Sequence, residues 1–214
     1  MRNILVLIDI QKEYTTEGRP FYLQGIEFSL IKCRELLDFA RSNEWEILHV
    51  QHSNGHGAVR FNPDSEYFDF VNGFKPKESE KLYIKSDFSC YSNSDFADYI
   101  ENAVKLDECS IYLIGYNSVM CCLSTLEEAR RRKHKMVFVE DASLAKSIED
   151  VGEIDTHKFM VNLYKAKGLA TITTFQDVVK NDVSHAKSNL FLQRIGVSQD
   201  ANVKDVNNLK RPSN

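Results

Sequence analysis

Apolar strand-like runs that alternate with helix-patterned segments predict an α/β fold: a three-layer sandwich with a Rossmann-like, mostly parallel six-stranded sheet and helices on both faces. The runs fall near residues 3–8, 46–51, 82–85, 110–115, 136–140 and 169–173. The intervening helical patterns fall near 25–43, 94–105, 120–133 and 150–166, with a short one near 174–179. A chain of 214 residues, 43% of them hydrophobic, is long enough to bury one good core. Residues 1–179 read as one compact domain without an internal repeat or Pro/Gly-rich linker, and 180–214 as a polar extension with one apolar cluster, Leu190 to Leu192.

Each element has a local reason. Ile4 to Ile8 is an unbroken apolar run, as expected of a strand covered on both faces. Ile26, Leu30, Cys33, Leu36, Leu37 and Ala40 recur at helical spacing, so the segment around 25–43 lays one face on the sheet. Ser94 is the expected N-cap of the following helix, and Thr174 with Asp177 three residues on has the form of a capping box. Asn117 and Ser118 supply turn and capping chemistry where a strand must turn abruptly into a helix.

Composition narrows the function classes. Lys and Arg number 27 against 31 Asp and Glu, a net charge of -4, which gives no electrostatic reason to expect nucleic acid or an anionic membrane. No apolar segment is long enough to span a bilayer, and Met1-Arg2-Asn3 runs into the first strand without a signal-peptide layout. Five cysteines without framework spacing fit a reducing compartment. A soluble cytoplasmic protein is the expectation.

Three polar residues stand at or just past the carboxyl ends of apolar runs: Asp9 after Ile4 to Ile8, Lys85 after Leu82 to Ile84, and Cys121 beyond Ile111 to Ile114. In an open parallel sheet those ends share one crevice. An ammonium and a helix start both favour a thiolate, so Cys121 is the expected reactive thiol of the five. An aspartate beside it can carry the proton during attack on a carbonyl and return it to a leaving amine. The three residue types together point to an amidase with a thioester intermediate.

The segments ILVLIDIQKEY at 4–14, LYIKSDFSCYSNSDF at 82–96 and IYLIGYNSVMCCLSTLEEARRRKHKMVFVEDA at 111–142 resemble the isochorismatase-like cysteine hydrolases, the family of nicotinamidases and N-carbamoylsarcosine amidohydrolase. The likeness runs from residue 3 to about 179 and makes 1–179 an isochorismatase-like hydrolase domain. It implies Cys121 as nucleophile, six residues after Gly115, with Asp9 as acid/base and Lys85 as the lysine. It further implies a non-prolyl cis peptide near Tyr116 and Asn117, and an oxyanion hole from the backbone N–H groups of Asn117 and Cys121. Cys122, next to the nucleophile, takes the position of a small packing residue.

By position, Gln11, Tyr14, His52, Phe88, Tyr91 and Tyr116 are candidates for the pocket wall, an aromatic mix suited to a small planar amide. The long connection 52–81 is expected to lie over the site as a lid, from which Arg60 could swing in. Some relatives hold a divalent metal through an Asp and two His, but His52 and His56 lack an Asp-x-His pair, so neither metal nor cofactor is expected. His49, His134, His157 and His185 read as packing or surface residues. Two other readings compete: an isochorismatase-type ether hydrolase relying on Asp9, and a catalytically silent binding or assembly protein. Relatives make a homo-oligomer the expected state.

Overall fold

The structure, a computed structural model, describes residues 2–106 and 108–182. Its centre is a six-stranded sheet whose described pairings are all parallel. The strands are β1 (Arg2–Ile8), β2 (Glu46–His52), β3 (Lys81–Lys85), β4 (Cys109–Tyr116), β5 (Met136–Leu144) and β6 (Thr171–Thr173), in the spatial order β3-β2-β1-β4-β5-β6. The helices are α1 (Lys12–Thr15, a single turn), α2 (Glu27–Ser42), α3 (Ser94–Leu106), α4 (Leu123–Arg131) and α5 (Glu153–Lys167).

Strand alternation divides the core between the two faces. Ile4, Val6 and Ile8 of β1 join one buried cluster with Phe96 and Ile100 of α3, Leu126 of α4 and Tyr164 of α5. Leu5 and Leu7, equally buried, point to the opposite face. On α2 the apolar stripe of Cys33, Leu36, Leu37 and Ala40 is fully buried, and the Cys33 thiol donates to Ala142 O of β5 at 3.0 Å. Chain order reverses between β1 and β4, and the crevice at such a reversal is where open α/β sheets bind ligands.

Several local expectations are corrected. The cap of α3 is Asn93, not Ser94: its side-chain oxygen accepts from the Phe96 N–H at 2.9 Å and its carbonyl from the Ala97 N–H at 3.0 Å. β5 runs four residues beyond the predicted 140, because its pairing with β4 skips from Leu113↔Phe138 to Gly115↔Ser143 and so accommodates the polar stretch Glu140-Asp141. The Phe175 N–H is received by the Asp141 carboxylate at 2.8 Å.

Contacts divide the chain into a unit up to Phe175 and a second beginning at Gln176, of which 176–182 are described and helical. Leu190 to Leu192, His185 and the rest of the predicted polar extension lie outside the described residues. Among the described residues no helix is long and apolar enough to cross a membrane.

Candidate active site

The carboxyl ends of β1, β2, β3 and β4 deliver the chemistry. Asp9 follows β1 with φ of 51°, a left-handed conformation that Asp tolerates better than most residues, and its N–H is held by Val50 O at 2.8 Å. His52 and Lys85 are direct partners in the β2–β3 register, so their side chains leave the sheet side by side. At the end of β4, Gly115 has φ of 108°, and a Cβ there would lie 2.1 Å from Ile8 O. Only glycine lets β4 approach the residue before Asp9 this closely.

After Gly115 the Tyr116–Asn117 peptide is cis. Asn117 Oδ1 accepts from the N–H groups of Val119 and Met120, both at 3.1 Å, and so caps the turn Ser118–Cys122 that leads into α4. This turn is braced from α5. His157 Nδ1 and Ser118 Oγ are 2.9 Å apart, His157 Nε2 meets Glu140 O at 2.9 Å, and the Tyr164 hydroxyl donates to Ser118 O. Sequence reasoning missed this brace, since a lone His at helical spacing carries no sign of its partner.

The polar cluster itself is compact. Lys85 Nζ lies 2.9 Å from Asp9 Oδ2, 3.0 Å from His52 Nδ1, 3.1 Å from Asp87 O and 3.3 Å from Cys121 Sγ. The Asp9 and Lys85 side chains are both 0% exposed. Burial alone would lower the Lys85 pKa, but the negative charge of Asp9 outweighs it, so the ammonium is held above its ordinary range. His52 is pushed down by burial and then by Lys85, which fixes a neutral ring with Nε2–H donating to Asn54 Oδ1 at 2.8 Å and Nδ1 facing the ammonium.

Cys121 behaves differently from the sequence expectation. Lys85 does favour its thiolate, but burial and then the Asp9 charge outweigh that attraction and push the thiol well above its usual pKa. Cys121 rests as a neutral thiol beside the Asp9 side chain. Cys122, fully buried, directs Sγ toward Gly115 O at 3.7 Å, away from Lys85, as its expected packing role requires.

A cavity of about 220 Å³ opens over Cys121. Of the predicted wall residues, Tyr14, His52 and Phe88 line it. Gln11, Tyr91 and Tyr116 lie elsewhere. Gln11 exchanges hydrogen bonds with the His52 backbone and donates to Phe68 O, stitching the lid to β2. The Tyr91 hydroxyl meets His134 Nδ1 at 2.9 Å, and that of Tyr116 meets Ser29 Oγ at 2.8 Å. The remaining wall comes from Phe21, Asn54, Arg60, Phe61 and Met120. Three of these belong to the predicted lid, which folds over the site as its length suggested.

Asp9, His52 and Cys121 bring ligand-type atoms within 4.8 Å of one another. The atom they surround is Lys85 Nζ, so an ammonium already takes the position a divalent ion would need. His56, the other histidine considered, pairs with Asp64 at 2.8 Å on the exposed surface. The residues present do not fit a metal site of one Asp and two His.

Fold and cluster define an α/β crevice with a thiol, a carboxylate and an ammonium at the topological switch point. The isochorismatase domain, as a sequence family, matches residues 3–176, and the chain belongs to the isochorismatase family. Among curated relatives, a secreted isochorismatase effector of Verticillium dahliae is 28% identical over 140 residues, covering 65% of this chain and 71% of the relative. An uncharacterized isochorismatase family protein of Bacillus subtilis is 27% identical over 151 residues, covering 70% and 81%. Among solved structures, an isochorismatase from Pseudomonas putida is similar with TM-score 0.71 and 26% identity, over 82% of this chain and 89% of that one. A cysteine hydrolase from Pseudomonas syringae shares the fold with TM-score 0.75 at 18% identity, over 86% and 93%.

Proposed function

We propose that this member of the family is a cysteine hydrolase that cleaves a carbon–nitrogen bond of a small planar amide or ureide through an acyl-Cys121 intermediate. The observation that carries the reading is the placement of Cys121 Sγ at the floor of an aromatic cavity, 3.3 Å from Lys85 Nζ, which itself holds Asp9 at 2.9 Å. Asp9 Oδ1 has no hydrogen-bond partner in its buried setting, so the carboxylate has acceptor capacity to spare.

In this reading Asp9 takes the Sγ proton as sulfur attacks the carbonyl carbon. Charge that develops on the carbonyl oxygen is received by the backbone N–H groups of Asn117 and Cys121. The C–N bond then breaks, and Asp9 gives its proton to the departing nitrogen, leaving a thioester and an ionised Asp9. Water attacks the thioester as Asp9 accepts a proton from it, the C–S bond breaks, and Asp9 returns that proton to the departing sulfur, which frees the acid and restores the thiol and the ionised Asp9. Lys85 keeps its charge throughout and steadies whichever partner, Asp9 or sulfur, is negative.

The test is ammonia or amine release from a panel of small aromatic amides and ureides, with intact-mass detection of an acyl adduct on rapid quenching. Cys121→Ala and Asp9→Asn should each abolish release, and only Cys121→Ala should abolish the adduct site. The relatives named isochorismatase keep one competing reading open, ether hydrolysis of isochorismate by Asp9. Turnover of isochorismate that survives Cys121→Ala, with no amide hydrolysed, would establish that reading instead.

A further inference from the structure

Four side chains that line the cavity are ionisable, namely Tyr14, His52, Cys121 and Arg60, and burial pushes the Tyr14 phenol well above its ordinary pKa, so it is neutral. His52 is kept neutral by burial and by Lys85, and Cys121 by burial and Asp9. Below them Asp9 and Lys85 pair with each other and cancel. The charge left facing a ligand is therefore the cationic guanidinium of Arg60.

Arg60 is also prepared to use that charge. Other arginines of the fold are closed on carboxylates: Arg19 on Glu13 at 2.9 Å, Arg41 on Glu80 at 2.7 Å and Arg132 on Glu128 at 2.8 Å. No carboxylate lies within ion-pair distance of Arg60 among the described residues; its guanidinium instead rests 5.2 Å from the centre of the Phe21 ring, itself part of the cavity wall.

The segment that carries Arg60 is tied down on both sides. Val59 O accepts from Arg19 at 2.7 Å, Arg60 O from Asn54 Nδ2 at 3.2 Å, and Phe61 O from the Asn54 N–H at 3.0 Å. Asn54 in turn holds His52 at 2.8 Å, so the rim is linked to the floor of the site. A backbone fixed in this way keeps the exposed Arg60 side chain at the rim, where its forked donors match a carboxylate.

We propose that the substrate of this chain carries a carboxylate remote from the bond that is cleaved, and that Arg60 at the rim recognises it while the amide faces Cys121. The inference rests on the amide reading above for the orientation of the substrate. A cavity of about 220 Å³ walled by Tyr14, Phe21, Phe61 and Phe88 suits one planar unit bearing both groups.

Calorimetric titration of Cys121→Ser, which preserves the cavity without the nucleophile, tests it with two matched pairs. These are 3- and 4-carbamoylbenzoate against the neutral 1,3- and 1,4-benzenedicarboxamide. At least one anionic ligand should bind on the order of tenfold tighter than its neutral partner, the value of a charge-assisted hydrogen bond. Adding Arg60→Gln should erase that advantage while leaving the neutral amide unchanged, and Arg60→Lys should restore part of it.

Equal affinity within both pairs, a preference that survives Arg60→Gln, or no binding in either pair overturns the inference. An Arg60-dependent preference without hydrolysis of any of the four by wild-type protein would sink the amide reading alone. Hydrolysis that is indifferent to the carboxylate would sink the inference alone.

Discussion

Removing the Lys85 ammonium as Lys85→Met leaves Asp9 as a carboxylate that is 0% exposed with no cation beside it. At the 2.9 Å separation of Nζ and Oδ2, the gross attraction is about 6 kcal/mol for an effective dielectric of about 20, before desolvation is counted. Breaking such a buried pair from one side costs about 3 to 5 kcal/mol, and the loss of the contacts to His52 Nδ1 and Asp87 O places Lys85→Met at the upper end. Asp9→Asn leaves the ammonium with those two acceptors, so a cost of about 3 kcal/mol is expected. The double variant buries neither charge and should cost about 4 kcal/mol, roughly 4 less than the sum of the singles. Urea unfolding of all four proteins measures this, read as the shift in midpoint at constant slope. Additivity of the two singles within about 0.5 kcal/mol would mean that the charges do not feel each other, and the electrostatic account of the site would fail.

Two further outcomes follow from the same groups. Brief iodoacetamide labelling near pH 7 should modify the partly exposed Cys109 before Cys121, because burial and Asp9 hold the Cys121 thiol protonated. Asp9→Asn should speed Cys121 labelling and Lys85→Met slow it; Cys121 reacting first, unaffected by Asp9→Asn, would refute that ordering of charges. Thermal stability should fall in two stages on acidification. Burial lowers the folded-state pKa of His49, His52 and His157, so the unfolded chain binds more protons and stability drops as pH falls through about 6.5. Burial opposes ionisation of Glu80, but Arg41, the Lys77 N–H and His49 outweigh it and hold its pKa at about 2, against 4.5 unfolded. That contribution, about 2 to 3 kcal/mol, is complete above pH 4.5 and disappears toward pH 2, and Glu80→Gln should remove this second stage from a melting series. A flat melting temperature between about pH 8 and 5 would deny the neutral buried rings.

Asp9 was legible because a strand buried on both faces has to be apolar throughout, so the first polar residue after Ile8 stands out; the run before Lys85 also marked a strand end, but β3 is an edge strand whose Leu82 and Ile84 are 45% and 51% exposed. The six-residue spacing from Gly115 pointed to Cys121 over Cys122, and it is Cys121 whose Sγ lies 3.3 Å from Lys85 Nζ, while that of Cys122 faces Gly115 O. The cavity wall was less legible, since it depends on the path of a long connection rather than on periodicity. Arg60 and Phe61 reach the site only because Asn54 closes the loop back on itself, a bond between residues six and seven apart with no pattern to announce it. Tyr116 at the end of β4 and Tyr91 in the turn before α3 direct their hydroxyls to Ser29 and His134 instead, and no sequence pattern announces those partners. The protonation of Cys121 was also beyond the sequence, which shows that an acid and an ammonium are near the thiol but not which is heavier once water is excluded.

Lys85 explains why this crevice needs no separate cation to organise it. Three groups of the kind that bind divalent ions, a carboxylate, an imidazole nitrogen and a thiol, all converge on Nζ, and the imidazole can present its lone pair there only while the ring is neutral. A tethered ammonium holds Asp9 at 2.9 Å and Cys121 at 3.3 Å, so loss of the thiol proton to Asp9 transfers charge within a group already centred on a positive site. On the proposed thioester route the thiol can therefore stay neutral until a carbonyl carbon is in place to accept the sulfur electrons. A metal in the same place would favour the thiolate permanently. If the proton moves only as the bond to carbon forms, turnover should depend on Asp9 far more steeply than ground-state ligand binding does, because the carboxylate contributes chiefly to the transition state.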